Sequence, residues 1–251
     1  MSEVISYLES RQRRPWCGVA RFAVRAPSTS RQLVTGARNV VELYYRLPPS
    51  RGEAYTDAMR IFLAGASGVI GQRLIPRLVH AGHVVGGLTR SHGKTELLRH
   101  LGAEPILCDV FDGEALIQAV RDFKPDVMLN ELTDLPDDAA QISQLASLNA
   151  RIRTEGTRNL IEAARRSGSP KILAQSVAWQ LPDGPDAQAV AELERSVLAE
   201  GGVVLRYGQF YGPGTYNEQQ PPAEPRVHID RAAERTVEAL GEPTGVVVIV
   251  D

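Results

Sequence analysis

The stretch AMRIFLAGASGVIG, residues 58–71, decides how the chain is read. Its apolar run RIFLA (60–64) predicts a short strand. Three glycines follow, Gly65, Gly68 and Gly71, each three residues from the next. VIGQRLIPRLVHAG (69–82) then has the period of a helix that Gly82 ends. Glycine lets a backbone turn tightly and come close to a ligand. The helix start offers unpaired N–H groups and a partial positive charge, which suit a pyrophosphate. Gly65, Ser67, Gly68, Val69, Ile70 and Gly71 are therefore candidate cofactor-binding residues, with Ser67 adding a hydroxyl. Pro76 lies inside this helix and lacks the N–H that would bond Gln72, which predicts a kink or a tight first turn.

Downstream, short apolar runs alternate with amphipathic stretches. Strands are predicted at 83–88, 105–108, 126–129, 171–176, 203–208 and 244–250. Helices are predicted at 94–102, 112–123 with Asp112 as N-cap, 137–168 as one long or two abutting helices, and 187–202. Alternation of this kind means parallel strands joined by right-handed crossovers, an α/β doubly wound parallel sheet of the Rossmann type. Residues 209–243 read as a small, Pro-rich substrate-side region.

The end of the second strand selects between dinucleotides. An acid there bonds the ribose 2′-OH of NAD, and a basic residue accommodates the 2′-phosphate of NADP. GGLTRSHGK (86–94) has no acid. Arg90, with Ser91 or Lys94 nearby, predicts NADP over NAD.

The 251 residues carry a net charge of −2, which argues against a nucleic-acid partner. No apolar run approaches the ~18 residues of a membrane span. The only cysteines are Cys17 and Cys108, too few for a disulfide framework or a zinc site, so a cytoplasmic setting is expected. His80 and His83 lack further ligands, and no metal is expected. Charge is uneven: residues 1–58 hold nine Arg, no Lys and five acids, whereas 59–251 hold 19 basic and 25 acidic residues. The shift marks a boundary at Met59. The first segment reads as a weakly structured extension that an upstream start codon would produce, as an extension docked through VVELYY (40–45), or as an Arg-rich interaction arm.

Several ordered segments resemble the extended short-chain dehydrogenase/reductase superfamily, in its NAD-dependent epimerase/dehydratase branch. GASGVIG (65–71) matches the family's glycine motif. CDVFD (108–112) looks like its adenine-contacting pair, here Asp109 and Val110. VMLNELTDLP (127–136) sits where the family lines its cofactor, which implies a role for Leu132. NARIRTEGTRNLIEAARRSG (149–168), RYGQFYGPG (206–214) and RVHID (226–230) resemble the long helix and two C-terminal signatures. The resemblance implies a homodimer through 137–168 and 187–202. It also implies catalysis by a Ser with Tyr-x-x-x-Lys, and here the chain departs. Its lysines are 94, 124 and 171, and none lies four residues after a tyrosine. Where the pair should fall, DAQAVAELE (186–194) puts Asp186 and Val190. Ser176 occupies the serine position, and Tyr207 is the candidate substitute acid, with Tyr211 behind it.

Two main functions follow from the resemblance. One is an oxidoreductase or epimerase acting on a small carbonyl, hydroxyl or sugar-like substrate, with Ser176 orienting it. The other is a non-catalytic dinucleotide-binding regulator or redox sensor similar to the NmrA type, which the missing Tyr-Lys pair favours. A third is a degraded or miscalled gene product.

Overall fold

The structure, a computed structural model, describes residues 58–135 and 146–251. The readings made for residues 1–57 and for 136–145 lie outside the described residues. The described residues form nine strands: β1 (Arg60–Ala64), β2 (Val84–Thr89), β3 (Glu104–Leu107), β4 (Val127–Asn130), β5 (Lys171–Val177), β6 (Val203–Tyr207), β7 (Gln209–Tyr211), β8 (Arg226–His228) and β9 (Gly245–Ile249). Their helices are α1 (Gly71–His80), α2 (Thr95–Leu101), α3 (Gly113–Phe123), α4 (Ala146–Arg151), α5 (Thr157–Arg165), α6 (Pro185–Ala199) and α7 (Ile229–Glu238). Seven strands make one parallel sheet in the order β3-β2-β1-β4-β5-β6-β9, and β7 pairs with β8 in a separate small parallel sheet. The chain winds outward from β1 to β3, then returns to β4 and winds the other way. This is the doubly wound Rossmann arrangement, with its switch point between β1 and β4. Ala64 is level with Leu88 on one side and Asn130 on the other. Gly65, Arg90 and Glu131 therefore emerge near one another at the strands' carboxyl ends.

Side chains alternate across a strand with period two, so the sheet sorts its residues between two cores. Ile61, Leu63, Leu129, Leu173, Leu205 and Tyr207 pack on one face with α1, α2 and α7. Phe62, Ala64, Met128, Ile172, Ala174 and Val204 pack on the other with α3, α5 and α6. Parity thus decides which polar residues meet beyond the strand ends. Odd-numbered Glu131 joins the first face, and even-numbered Asn130, Ser176 and Arg206 join the second.

Local chemistry accounts for several boundaries. Asp112 caps α3, its carboxylate accepting the Ala115 N–H. Pro185 stands at the start of α6, where its missing N–H costs nothing. Helix α1 runs through Pro76, which lies on its exposed face. Between α4 and α5 the chain forms one π-helical turn, Ile152–Gly156.

The region 209–243 holds more structure than its sequence predicts. Helix α7 buries Ile229, Ala232, Ala233 and Thr236 against α1 and the sheet. The spacing is helical, but two of these four are alanines and one is a threonine, so the apolar signal is faint. Asp230 at its start faces Arg77 at 3.1 Å and Arg73 at 3.4 Å. Half-exposed pairs of this kind contribute under about 1 kcal/mol, so burial holds the helix in place and the charges set its register.

Candidate functional site

A cleft of about 300 Å³ opens at the switch point. Volumes of this order suit small-molecule ligands. The glycine turn forms one wall. Gly65 has φ +86°, in the left-handed region, and a Cβ there would stand 2.5 Å from the Glu131 carbonyl oxygen. A Cβ on Gly71 would stand 2.4 Å from the Gly65 carbonyl oxygen. Glycine at 65 lets the β1–α1 turn lie against the β4 strand end, and glycine at 71 lets α1 start against the turn itself.

Thr89, Arg90, Ser91 and Lys94 form the wall beyond β2. Arg90 donates to Asp134 at 3.2 Å, and its side chain is 60% exposed. Cys108, Asp109, Val110 and Leu132 continue the lining. The Asp109 carboxylate accepts the Phe111 N–H, and Asn159 of α5 donates to the Val110 carbonyl at 2.9 Å. Burial, with Asp112 and Asp109 nearby, pushes the Cys108 thiol up and keeps it protonated.

Glu131 also lines this cleft, yet its side chain is buried on the sheet's first face. Tyr207 Oη lies 3.1 Å from Glu131 Oε1 and 2.6 Å from Thr236 Oγ1. Thr236 donates to the Ala232 carbonyl at 2.7 Å. Tyr207 donates to Glu131 Oε1, so the proton of a neutral Glu131 sits on its other oxygen, Oε2. Burial pushes the Glu131 pKa up to about 8, against the opposing pull of the Tyr207 hydrogen bond. Glu131 Oε2 is buried with no hydrogen-bond partner, a tolerable state for a neutral acid and a costly one for a carboxylate. Burial and the neighbouring carboxyl push Tyr207 well above its ordinary range, so it stays protonated.

On the other face, Ser176 is 1% exposed and donates to Glu194 Oε1 at 2.6 Å. Arg206 forks onto both Glu194 oxygens at 2.8 and 2.6 Å. This charge-assisted pair holds the Glu194 carboxyl below its usual range. The only proton of Ser176 is thus committed to Glu194, and toward any ligand it presents lone pairs.

Of the residues expected on the cofactor, Gly65, Ser67, Gly68, Arg90, Asp109, Val110 and Leu132 line the cleft. Val69, Ile70 and Gly71 stand back from it. Ile70 is a core residue, Val69 packs against that core, and Gly71 starts α1. Tyr207 is sealed in the core and meets the cleft through Glu131. Tyr211 lies further off, donating to Asp251. Asp186 and Val190 sit in the first turns of α6. His80 is exposed, and His83 accepts the Met59 N–H at 3.2 Å. Among the described residues no cluster could hold a metal, and no helix is long and apolar enough to cross a membrane. Two residues were not anticipated, Glu131 and Arg153. Glu131 carried a visible signal, an acid interrupting the apolar run VMLNEL.

A parallel sheet of this order, with a glycine turn at its switch point, defines the dinucleotide-binding class of doubly wound α/β proteins. The family model described as the NAD dependent epimerase/dehydratase family matches residues 61–248, and the chain belongs to that family. It is 38% identical over 180 residues to a protein of a Streptomyces species named 3-diazoavenalumate denitrifying reductase, covering 62% of this chain and 58% of that one. It is 33% identical over 144 residues to UDP-glucose 4-epimerase of Mycolicibacterium smegmatis, covering 53% and 44%. The chain therefore spans about half the length of these relatives. The fold is shared with UDP-glucose 4-epimerase of Thermus thermophilus in complex with NAD, at TM-score 0.64 and 22% identity over 76% of this chain and 78% of that one.

Proposed function

We propose that the protein is an NADP(H)-dependent reductase of a small organic substrate. The observation that carries this reading is the cleft wall beyond β2, where Arg90, Ser91 and Lys94 stand together with no acid at the strand's end. The Arg90–Asp134 pair is exposed and worth under about 1 kcal/mol. A hydrogen bond to a 2′-phosphate is worth roughly 1.5–3 kcal/mol, so the phosphate displaces the pair. Gly65 and Gly68 admit the pyrophosphate, and Asp109, Val110 and Leu132 hold the adenosine side. The bound nucleotide supplies a hydride equivalent, two electrons with one hydrogen. The accompanying proton comes from Glu131, the neutral acid at the cleft, with Tyr207 and Thr236 holding its orientation. Reduction, rather than epimerisation, suits a chain that lacks Tyr-x-x-x-Lys and whose Ser176 proton is engaged. The name of the Streptomyces relative, a reductase, points the same way.

The absence of the Tyr-Lys pair also favours a second reading, a dinucleotide-binding regulator without turnover. Calorimetric titration of the full chain with NADPH and NADH, repeated with Arg90→Ala, tests the common part. We expect NADPH to bind about 10- to 100-fold more tightly than NADH, and Arg90→Ala to erase the difference. Equal affinities in the unaltered protein refute the assignment. NADPH oxidation across a panel of carbonyl and diazo compounds separates reductase from regulator, and no turnover with any of them leaves the regulator.

A further inference from the structure

Arg153 lies on the π-helical turn between α4 and α5 and is 9% exposed. Its position is set by its neighbours at four-residue spacing. One turn before it, Asn149 Oδ1 accepts the Asp134 N–H beyond β4 at 3.3 Å. One turn after it, Thr157 Oγ1 accepts from Asn130 Nδ2 at the end of β4 at 3.0 Å. The preceding residue, Ile152, lines the cleft. The turn bearing Arg153 packs against α6, on the face of the sheet that carries Ser176.

A guanidinium holds five N–H donors and is always charged. Arg153 makes no hydrogen bond and no ion pair within 4.0 Å among the described residues. Asp186 at the start of α6 contributes only a distant favourable field, while burial pulls the Arg153 pKa down. The other arginines on this face are provided for, Arg206 by Glu194 and Arg151 by Glu155. Leaving a buried charge unpaired is expensive, and proteins hold such a group where a ligand completes it. A π-helical turn inside an α-helix is itself commonest at functional sites.

We propose that Arg153 is the subsite for a carboxylate on the substrate, so that the reductase acts on organic acids. The inference rests on the reductase reading and adds its substrate class. The planar fork of Arg matches a carboxylate through two parallel hydrogen bonds. The glycine turn proposed for the cofactor's pyrophosphate follows β1, whereas Arg153 lies on the π-helical turn before α5, so the two anion positions belong to different elements. A carboxylate at Arg153 and a hydride donor over the switch point would hold a substrate by one end while its other end is reduced.

The test is calorimetry on the full chain saturated with NADP⁺, with 4-hydroxycinnamate, its uncharged amide and inorganic phosphate as probes. We expect the carboxylate to bind about 10- to 100-fold more tightly than the amide, and Arg153→Gln to abolish that preference while NADP⁺ affinity is unchanged. Arg153→Lys should recover part of it. Equal binding of carboxylate and amide, no binding of the carboxylate, or Arg153-dependent binding of phosphate alone would each overturn the carboxylate subsite. A second readout needs no probe. Removing an unpaired buried charge should leave the ligand-free melting temperature unchanged or higher, whereas a lowered one makes Arg153 a structural residue and overturns the inference. Loss of NADP⁺ binding by the unaltered protein would instead strike the reductase reading itself.

Discussion

Replacing Glu131 by Gln isolates the energetic consequence of one buried acid. In the unfolded chain Glu131 ionises around its ordinary value of 4.5, and in the folded protein it keeps its proton up to about 8. The folded state therefore binds the extra proton between these values. Stability contributed by the neutral carboxyl is complete below pH 4.5, declines as pH rises, and is fully lost above pH 8. Each pH unit corresponds to about 1.36 kcal/mol, so the unaltered protein should lose roughly 4 kcal/mol between pH 5 and 8 through this group. Glutamine has the shape of the neutral acid and does not titrate. Its amide oxygen can accept from Tyr207 Oη as the acid oxygen does, while its N–H group lacks an acceptor, at a cost of about 1–2 kcal/mol at every pH. Glu131→Gln should then be slightly less stable than the parent at pH 5 and more stable at pH 8, with the curves crossing at about pH 5.5. Urea unfolding followed by tryptophan fluorescence measures this, since about 4 kcal/mol is a large part of the 5–15 kcal/mol typical of a domain. Comparing the two proteins cancels every other titrating group. Parallel stability curves from pH 5 to 8 would refute the neutral-acid assignment, and with it the proton source proposed for reduction.

Other perturbations test the remaining parts of the site. Gly65→Ala forces a side chain into the left-handed region and against the Glu131 carbonyl, so it should cost roughly 1–3 kcal/mol and abolish NADPH binding in calorimetry. Gly113→Ala, which meets nothing within 4 Å, is the control that should change neither. Glu194→Gln removes the charge that pairs with Arg206 and one of the two acceptor oxygens that Arg206 and Ser176 share. Because Arg206 holds the Glu194 pKa below its ordinary value, the stabilisation is present at neutral pH and lost as pH falls through that depressed value. The variant's thermal stability should therefore be lower at neutral pH and should fall less on acidification than the parent's. An unchanged acid limb would mean that the fork contributes nothing.

The sequence by itself determined the architecture and the strand ends from which the cleft is built. Strand, glycine turn and helix succeed one another within residues 60–82, and the residues that make them are local in sequence. A tight turn needs Gly65 wherever it occurs, and an amphipathic helix shows its period without reference to its partner. The same locality put Arg90, Asp109 and Val110 on the cleft, because each lies within three residues of a strand end. Helix α7 was not legible, because alanines at its buried positions give little hydrophobic contrast and its stability comes from packing on α1. The polar constellations were decided by tertiary structure alone. Tyr207 and Glu131 are 76 residues apart, and Ser176 and Glu194 are 18 apart. Which of them meet depends on the parity of each strand's residues at the sheet's edge and on the helix that covers that face. A composition or a spacing records neither. For the same reason a charged residue such as Arg153 reads as ordinary helix surface until the fold turns it inward. Its desolvation exists only once α6 has packed against the turn that bears it.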